Sequence, residues 1–123
     1  MTIAFWCVLI AALLPYVAFS FVANKLNPKQ PRISARNLEG LPARAHAAQL
    51  NHFEAFPLFA AAVIIAHVLE GASTTVNMLA IAYIVVRIGF TAAYLADRQP
   101  IRSACFVVGL ILAIAIFINP LFH

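Results

Sequence analysis

Residues 44–59 read RAHAAQLNHFEAFPLF and place a cation, an amide and a carboxylate inside what is otherwise a membrane-spanning helix. Polar groups within a bilayer cost several kcal/mol or need partners, so by default they mark a functional site. At about 100° per residue, Asn51 falls about 20° from Arg44 around the helix axis, and Glu54 lies about 60° further on. The sequence therefore predicts one polar face on one buried helix.

The rest of the chain is too apolar for a soluble domain. Of its 123 residues, 64% are hydrophobic and 10% are charged, and the mean hydropathy is +0.95, whereas apolar residues make up only about 45–50% of soluble domains. A bilayer is crossed by about 20 apolar residues, and four such spans can be drawn, at about residues 3–23, 43–69, 74–95 and 102–119. We predict an all-α, integral membrane four-helix bundle in up-down order that occupies residues 1–123 as a single domain.

The distribution of basic residues predicts the orientation of this bundle. Lys25, Lys29, Arg32 and Arg36 follow the first span, Arg44 stands at the start of the second, and Arg98 and Arg102 precede the fourth. The turn between the second and third spans has no Lys or Arg, so the positive-inside rule places the basic loop in the cytoplasm and both termini outside. Membrane topology and contact with anionic lipid explain the net charge of +4. The sequence shows no basic patch with interleaved aromatic residues, so it does not predict a nucleic-acid partner.

A cleaved signal peptide is the alternative interpretation of residues 1–20. The first four residues contain no basic side chain, however, and the apolar run that follows is longer than a usual signal-peptide core. A first membrane span is the better interpretation.

A second polar face is predicted on the third span, where Tyr94 lies about 20° from Arg87 around the helix axis. At about 1.5 Å per residue, Asn51 is about 13 Å and Arg87 about 12 Å from the cytoplasmic ends of their spans. Lys25 and Arg102 lie at the same end of the first and fourth spans. The sequence therefore predicts one site with a positive potential that would suit a small carboxylate-bearing ligand.

The same residues also have a purely structural interpretation. Glu54 and Arg87 would then form an interhelical ion pair that orders the bundle, with Asn51 as a hydrogen-bonding residue between helices. His46 and His52 point away from the Arg44 face, and their spacing does not suit zinc, so we interpret them as interfacial or packing residues.

The order of these residues resembles a known family, the membrane-associated proteins in eicosanoid and glutathione metabolism (MAPEG). The similarity extends over nearly the whole chain, and this protein resembles a divergent bacterial-type member. The residues that carry it are Arg44-Ala45-His46, Gln49-Leu50-Asn51, Glu54, Phe56-Pro57-Leu58-Phe59, Arg87, Tyr94 and Pro100-Ile101-Arg102-Ser103.

The resemblance implies a homotrimer that binds glutathione between neighbouring protomers near the cytoplasmic side. By position, Asn51 and Glu54 would hold the polar backbone and amino group of glutathione, and Arg102 would act on its thiol. Ser103 matches a residue proposed to assist in the prostaglandin-forming branch of the family. The residues that would contact the carboxylates of glutathione or line the pocket are Arg44, Arg87 and Tyr94. Lys25 is a further cation at the same level.

The implied function is that of a glutathione-dependent transferase or peroxidase-like detoxifying protein in the bacterial inner membrane, acting on lipophilic small molecules. Some family contacts are replaced here, because Ala43, Ala47 and Phe90 stand where other members have a glutamate, an arginine, and a tyrosine or histidine, respectively. Two alternatives remain. One is a non-catalytic membrane protein of the same fold with a structural Glu54–Arg87 pair, and the other is a small exporter that uses Glu54 as its carrier carboxylate.

Overall fold

Four long helices joined by short connections account for most of the chain. In the computed structural model, which describes residues 1–123, the helices in order are α1 (Ile3–Phe19), α2 (Pro31–Ser34), α3 (Gly40–Glu70), α4 (Thr74–Leu95) and α5 (Gln99–Ile118). Short 3₁₀ turns follow α1, α2 and α5, at Ala23–Lys25, Ala35–Asn37 and Asn119–Phe122. With their adjoining turns, α1, α3, α4 and α5 are each long and apolar enough to cross a membrane. The predicted all-α four-helix bundle is therefore confirmed.

Local sequence signals explain the observed helix boundaries. The side chain of Ser73 accepts a hydrogen bond from the Val76 backbone N–H at 3.2 Å, so α4 begins at an N-cap. Gly71 ends α3 with a φ of 74°, a conformation that glycine adopts without strain. The predicted span 74–95 coincides with α4, whereas α5 begins at residue 99 instead of 102, because Pro100 fits the first turn of a helix. Arg102 consequently lies in the first turn of α5.

The segment between α1 and α3 carries the basic residues on its surface. Lys25, Lys29, Arg32 and Arg36 are all exposed. The segment is ordered by its own hydrogen bonds, since the Asn27 backbone N–H donates to the Ser34 hydroxyl at 3.0 Å. We call this end of the bundle the basic-loop end, and the opposite end, where both termini lie, the terminal end.

Small side chains let the helices approach one another closely. α1 packs along α3 and α4 along α5, and α3 also contacts α4 and α5. A core of 13 buried residues, including Ala62, Ala66 and Ala80, fills the terminal half. Phe59 and Tyr83 stack within it, with ring centroids 3.9 Å apart and planes inclined by 6°. A cluster of only three buried residues, Ala18, Ala48 and Phe90, lies near the basic-loop end.

Polar bonds at the terminal end join the helices there. Thr2 and His67 are hydrogen-bonded at 2.7 Å between the Thr2 hydroxyl and Nε2 of the ring. The Ala4 backbone N–H donates to Asn77 Oδ1 at 3.0 Å. These bonds satisfy a free N–H group at the start of α1 and attach this end of α1 to α3 and α4.

The outer surface of the bundle is apolar. Large side chains such as Leu13, Val85 and Ile111 are more than half exposed. A surface of this kind suits contact with lipid tails or with other membrane helices, not with water.

We expect replacement of Phe59 by alanine to lower the melting temperature of the detergent-solubilised protein. The change removes the stacked partner of Tyr83 and leaves a cavity, which destabilises the fold through lost packing contacts. Phe117, which is 47% exposed on α5, provides a matched control, and Phe117→Ala should melt close to the unmodified protein. Equal melting temperatures for the two variants would contradict the assigned core.

Candidate functional site

Between the two apolar clusters lies a polar level centred on Arg87. This side chain is 2% exposed and projects from α4 toward α3. Its Nη2 donates to Asn51 Oδ1 at 2.8 Å and to His52 Nδ1 at 2.9 Å. Both protons of Nη2 are thereby used, whereas Nη1 and Nε have no acceptor within the chain. The bond to Asn51 confirms that the polar residues of the second and third spans lie at the same depth.

The His52 ring connects Arg87 to Thr91. His52 Nε2 lies 2.7 Å from Thr91 Oγ1, and the Thr91 hydroxyl donates to the Arg87 carbonyl at 3.0 Å. Since Nδ1 accepts from the guanidinium and the hydroxyl proton is already used, we assign the ring proton to Nε2. The hydrogen bonds thus identify His52 as a neutral ring in a defined tautomer.

Aromatic rings support both guanidinium groups. Arg87 lies over the Phe90 ring at 4.3 Å, and Arg102 lies over the Tyr94 ring at 4.5 Å. The two rings meet edge to face, with centroids 5.5 Å apart. A cation over an aromatic face is stabilised by the ring quadrupole, so these contacts orient the two cations and connect them through a single aromatic pair.

Two recesses adjoin this polar level. The first, which we call the inner cavity, has a volume of about 160 Å³ and is lined by Asn51, Glu54, Ala55, Leu58, Tyr83, Arg87, Phe106, Gly109, Leu110 and Ala113. The second, the loop-end groove, has a volume of about 330 Å³ and is lined by Asn51, Phe90, Tyr94, Arg102, Ser103, Phe106 and Val107. Asn51 and Phe106 belong to both linings, so the two recesses are neighbours along the face between α3 and α5.

Glu54 does not pair with Arg87. The carboxylate is exposed and lines the inner cavity, whereas the guanidinium uses Asn51 and His52 as its acceptors. The structural alternative based on a Glu54–Arg87 ion pair is therefore wrong for the folded chain. The acceptors of the guanidinium come instead from two consecutive residues of α3, Asn51 and His52, and the Glu54 carboxylate makes no ion pair with it.

Two of the predicted site residues lie apart from the recesses of their own chain. Arg44 donates from Nε and Nη2 to the Leu95 carbonyl, at 3.3 and 3.2 Å, and so caps the end of α4. Lys25 is exposed in the 3₁₀ turn after α1. The other six, namely Asn51, Glu54, Arg87, Tyr94, Arg102 and Ser103, line one or both recesses.

The residue that the sequence analysis missed is His52. It is 3% exposed and belongs to the hydrogen-bond network around Arg87, instead of acting only as a packing or interfacial residue. The available signal was its place directly after Asn51, about 100° around the axis of α3, from where one guanidinium can bridge both side chains, as it does here.

Ser103 lies beside Arg102 at the groove. Its hydroxyl accepts a hydrogen bond from Gln99 Nε2 at 3.1 Å, which leaves the hydroxyl proton free to donate. Arg102 makes no hydrogen bond from its side chain to the rest of the protein. The groove therefore carries one guanidinium and one hydroxyl whose donors are not used within the chain.

Comparison with protein families identifies the chain. A model described as "MAPEG family" matches residues 3–122. The chain belongs to the MAPEG family. No curated protein and no solved structure gave a significant match. Membership agrees with the four membrane-spanning helices, and it indicates an integral membrane protein with a function related to glutathione. In this MAPEG member the residues that line the two recesses come from α3, α4 and α5.

We expect Asn51 to matter more than Arg102 for stability. Asn51→Leu leaves a buried N–H of Arg87 without an acceptor, at a cost of about 1–3 kcal/mol. Arg102→Leu introduces the same side chain as Asn51→Leu but breaks no hydrogen bond within the chain. Thermal melting in detergent should therefore show a clear loss for Asn51→Leu and a small change for Arg102→Leu, and the reverse order would contradict the network described.

Proposed function

We propose that the protein binds glutathione across the inner cavity and the loop-end groove and uses its thiolate on apolar electrophiles, as a transferase or peroxidase-like protein. The observation that carries this proposal is the state of Arg87. Its guanidinium is buried and oriented, and yet Nη1 and Nε have no acceptor within the chain beside a cavity lined by a carboxylate and an amide. Unused donors on a buried cation favour a carboxylate ligand, which would accept charge-assisted hydrogen bonds from Nη1.

The charges of the site are complementary to those of glutathione. Glutathione carries two carboxylates and one ammonium group, and its thiol adds a further negative charge when it ionises. Glu54 would bind the ammonium group, Arg87 one carboxylate, and Asn51, through its free Nδ2, a carbonyl of the peptide. Arg102 would then face the sulfur, with Tyr94 beneath it.

Arg102 suits the activation of a thiol because it is held by an aromatic face and makes no other bond. The thiolate is the nucleophile, and a nearby cation lowers the pKa of a thiol. A hydrogen bond from the Ser103 hydroxyl to the sulfur or to the oxygen of a substrate would add to this stabilisation.

The electrophile would enter from the lipid. The walls of the recesses include Leu58, Phe106 and Leu110, which are exposed on the outer face of the bundle. In the transferase reaction the thiol first loses its proton to solvent, the sulfur then bonds to the electrophilic carbon, and the leaving group departs with its electron pair. With a hydroperoxide, the thiolate sulfur would attack the terminal oxygen, the O–O bond would break, and the alkoxide would leave and take up a proton as the alcohol. The resulting sulfenic acid of glutathione would then react with a second glutathione to give the disulfide and water.

Assembly and orientation complete the proposal. We infer a homotrimer in the bacterial inner membrane, with the basic-loop end in the cytoplasm and both termini outside, as the exposed Lys and Arg residues of the loop favour. Arg44 and Lys25 do not line the recesses of their own chain, so any contact they make with glutathione would be in the groove of a neighbouring protomer.

We expect glutathione to raise the melting temperature of the detergent-solubilised protein, because a ligand bound only by the native state stabilises it. The shift should saturate with concentration, and Glu54→Gln and Arg87→Ala should each reduce it. The matched control is Glu70→Gln at the terminal end. The absence of any saturable shift would overturn the proposed binding of glutathione.

Arg102→Leu should separate binding from chemistry. We expect the variant to retain glutathione binding, but the ultraviolet absorbance of the bound thiolate should appear only at higher pH, because the cation that favours the charged form is gone. Conjugation of 1-chloro-2,4-dinitrobenzene should fall in parallel. Unchanged thiolate absorbance would remove Arg102 from the proposed role.

A further inference from the structure

We propose that His52 and Thr91 are positioning residues that hold the guanidinium of Arg87 in the orientation required to bind a carboxylate, an inference that rests on the glutathione site proposed above. Neither residue lines the inner cavity or the loop-end groove. Both act through Arg87, and their hydrogen bonds form a closed circuit that begins at its side chain and returns to its own backbone.

The circuit has three hydrogen bonds. Arg87 Nη2 donates to His52 Nδ1 at 2.9 Å, His52 Nε2 donates to Thr91 Oγ1 at 2.7 Å, and Thr91 Oγ1 donates to the Arg87 carbonyl at 3.0 Å. Each group uses one donor and one acceptor, so the direction of every bond is determined once Arg87 is charged. The circuit crosses from α4 to α3 and back.

The two acceptors of Arg87 Nη2 together fix the orientation of the guanidinium plane. A single bond to Asn51 Oδ1 would allow the planar head group to swing about that bond. The second bond, to His52, uses the other proton of the same nitrogen and fixes the plane of the guanidinium. Phe90 holds the face of this plane at 4.3 Å, and the His52 ring in turn meets Phe90 edge to face, with centroids 6.0 Å apart. The two protons of Nη1 and the single proton of Nε, which lie on different sides of the guanidinium, are left for a ligand.

Preorganisation of this kind lowers the entropic cost of binding, because an arginine side chain otherwise loses rotamer freedom when it engages its ligand. A role of His52 as a general base does not fit the geometry. Its Nδ1 accepts from Arg87 and its Nε2 proton is directed to Thr91, so neither nitrogen is available to a substrate.

The test compares glutathione with glutathione derivatives esterified at one carboxylate or the other, using the full-length protein in nanodiscs. In the unmodified protein, esterification of the carboxylate that binds Arg87 should weaken binding. His52→Leu should weaken the binding of glutathione by about tenfold, equivalent to about 1.4 kcal/mol, and should change the affinity for that ester little. The preference for the free carboxylate should therefore shrink.

Two further variants examine the circuit itself. His52→Asn should restore most of the preference, because the Oδ1 of asparagine can take the place of Nδ1 as acceptor. Thr91→Val keeps the shape of the side chain and removes the hydroxyl, so it should produce part of the loss. If His52→Leu weakened glutathione and ester equally, or if His52→Asn failed to restore the preference, the positioning role would be overturned.

His67→Leu is the matched control, since it removes a histidine from the same helix, about 22 Å further along α3 at 1.5 Å per residue. It breaks the bond to Thr2 and should lower the melting temperature, but it should leave both affinities and their ratio unchanged. A similar loss of preference in this variant would show that general destabilisation explains the His52 effect.

Nitrogen-15 NMR of the histidine rings separates this inference from the proposed function. Whether or not glutathione binds, His52 should show a protonated Nε2 and an unprotonated Nδ1, and both signals should shift in Arg87→Leu and Thr91→Val. Failure of the unmodified protein to bind glutathione, with these signals as expected, would overturn the proposed function and leave the circuit confirmed. A protonated Nδ1 would overturn the circuit itself.

Discussion

A guanidinium buried at the hydrocarbon level of a membrane must find its partners within the protein, and this requirement governs the arrangement of the helices. Arg87 reaches across from α4 and is bound by two consecutive residues of α3, Asn51 and His52. Satisfying one cation therefore fixes the relative height and rotation of the two helices. Desolvation of the charge is costly, and only an arrangement that supplies these acceptors offsets that cost.

The same requirement divides the bundle into three levels. Apolar packing fills the terminal half, the polar network follows, and a small aromatic and alanine cluster lies near the basic loop. The inner cavity and the loop-end groove both lie beside the network, where the packing of small and large residues is interrupted. The position of the candidate site is thus a consequence of where the buried charge is held, and α5 contributes the second cation, Arg102, at the edge of the same level.

Much of this arrangement could be predicted from the sequence, because membrane spans are long, apolar and limited in number. The start of α4 follows from its N-cap Ser73, and the constant rise of a helix places Asn51 level with Arg87. The partner of Arg87 could not be predicted in the same way. A helical wheel gives the angle of each residue about its own axis but not the direction of the neighbouring helix. Glu54 was therefore predicted as the partner of Arg87 because of its charge, whereas in the structure His52 is the residue within hydrogen-bonding distance.

The position of Arg44 outside the recesses of its own chain has a related cause. Its angle about the helix axis groups it with Asn51, but it lies two turns nearer the basic-loop end, where the nearest acceptor is the unpaired carbonyl of Leu95. Free carbonyl groups at the end of a neighbouring helix compete for such cations. A wheel contains no information about them, because they belong to another element of the chain.

The unequal sizes of the two apolar clusters have a mechanical consequence. The terminal half holds the apolar cluster of 13 buried residues and the Thr2–His67 and Ala4–Asn77 hydrogen bonds, whereas the apolar cluster in the half that contains the groove has three members. Local opening takes place most easily where few apolar contacts must be broken. Separation of the helices should therefore begin beside the basic loop. Small solutes would enter the bundle at that end, while the terminal half stays closed.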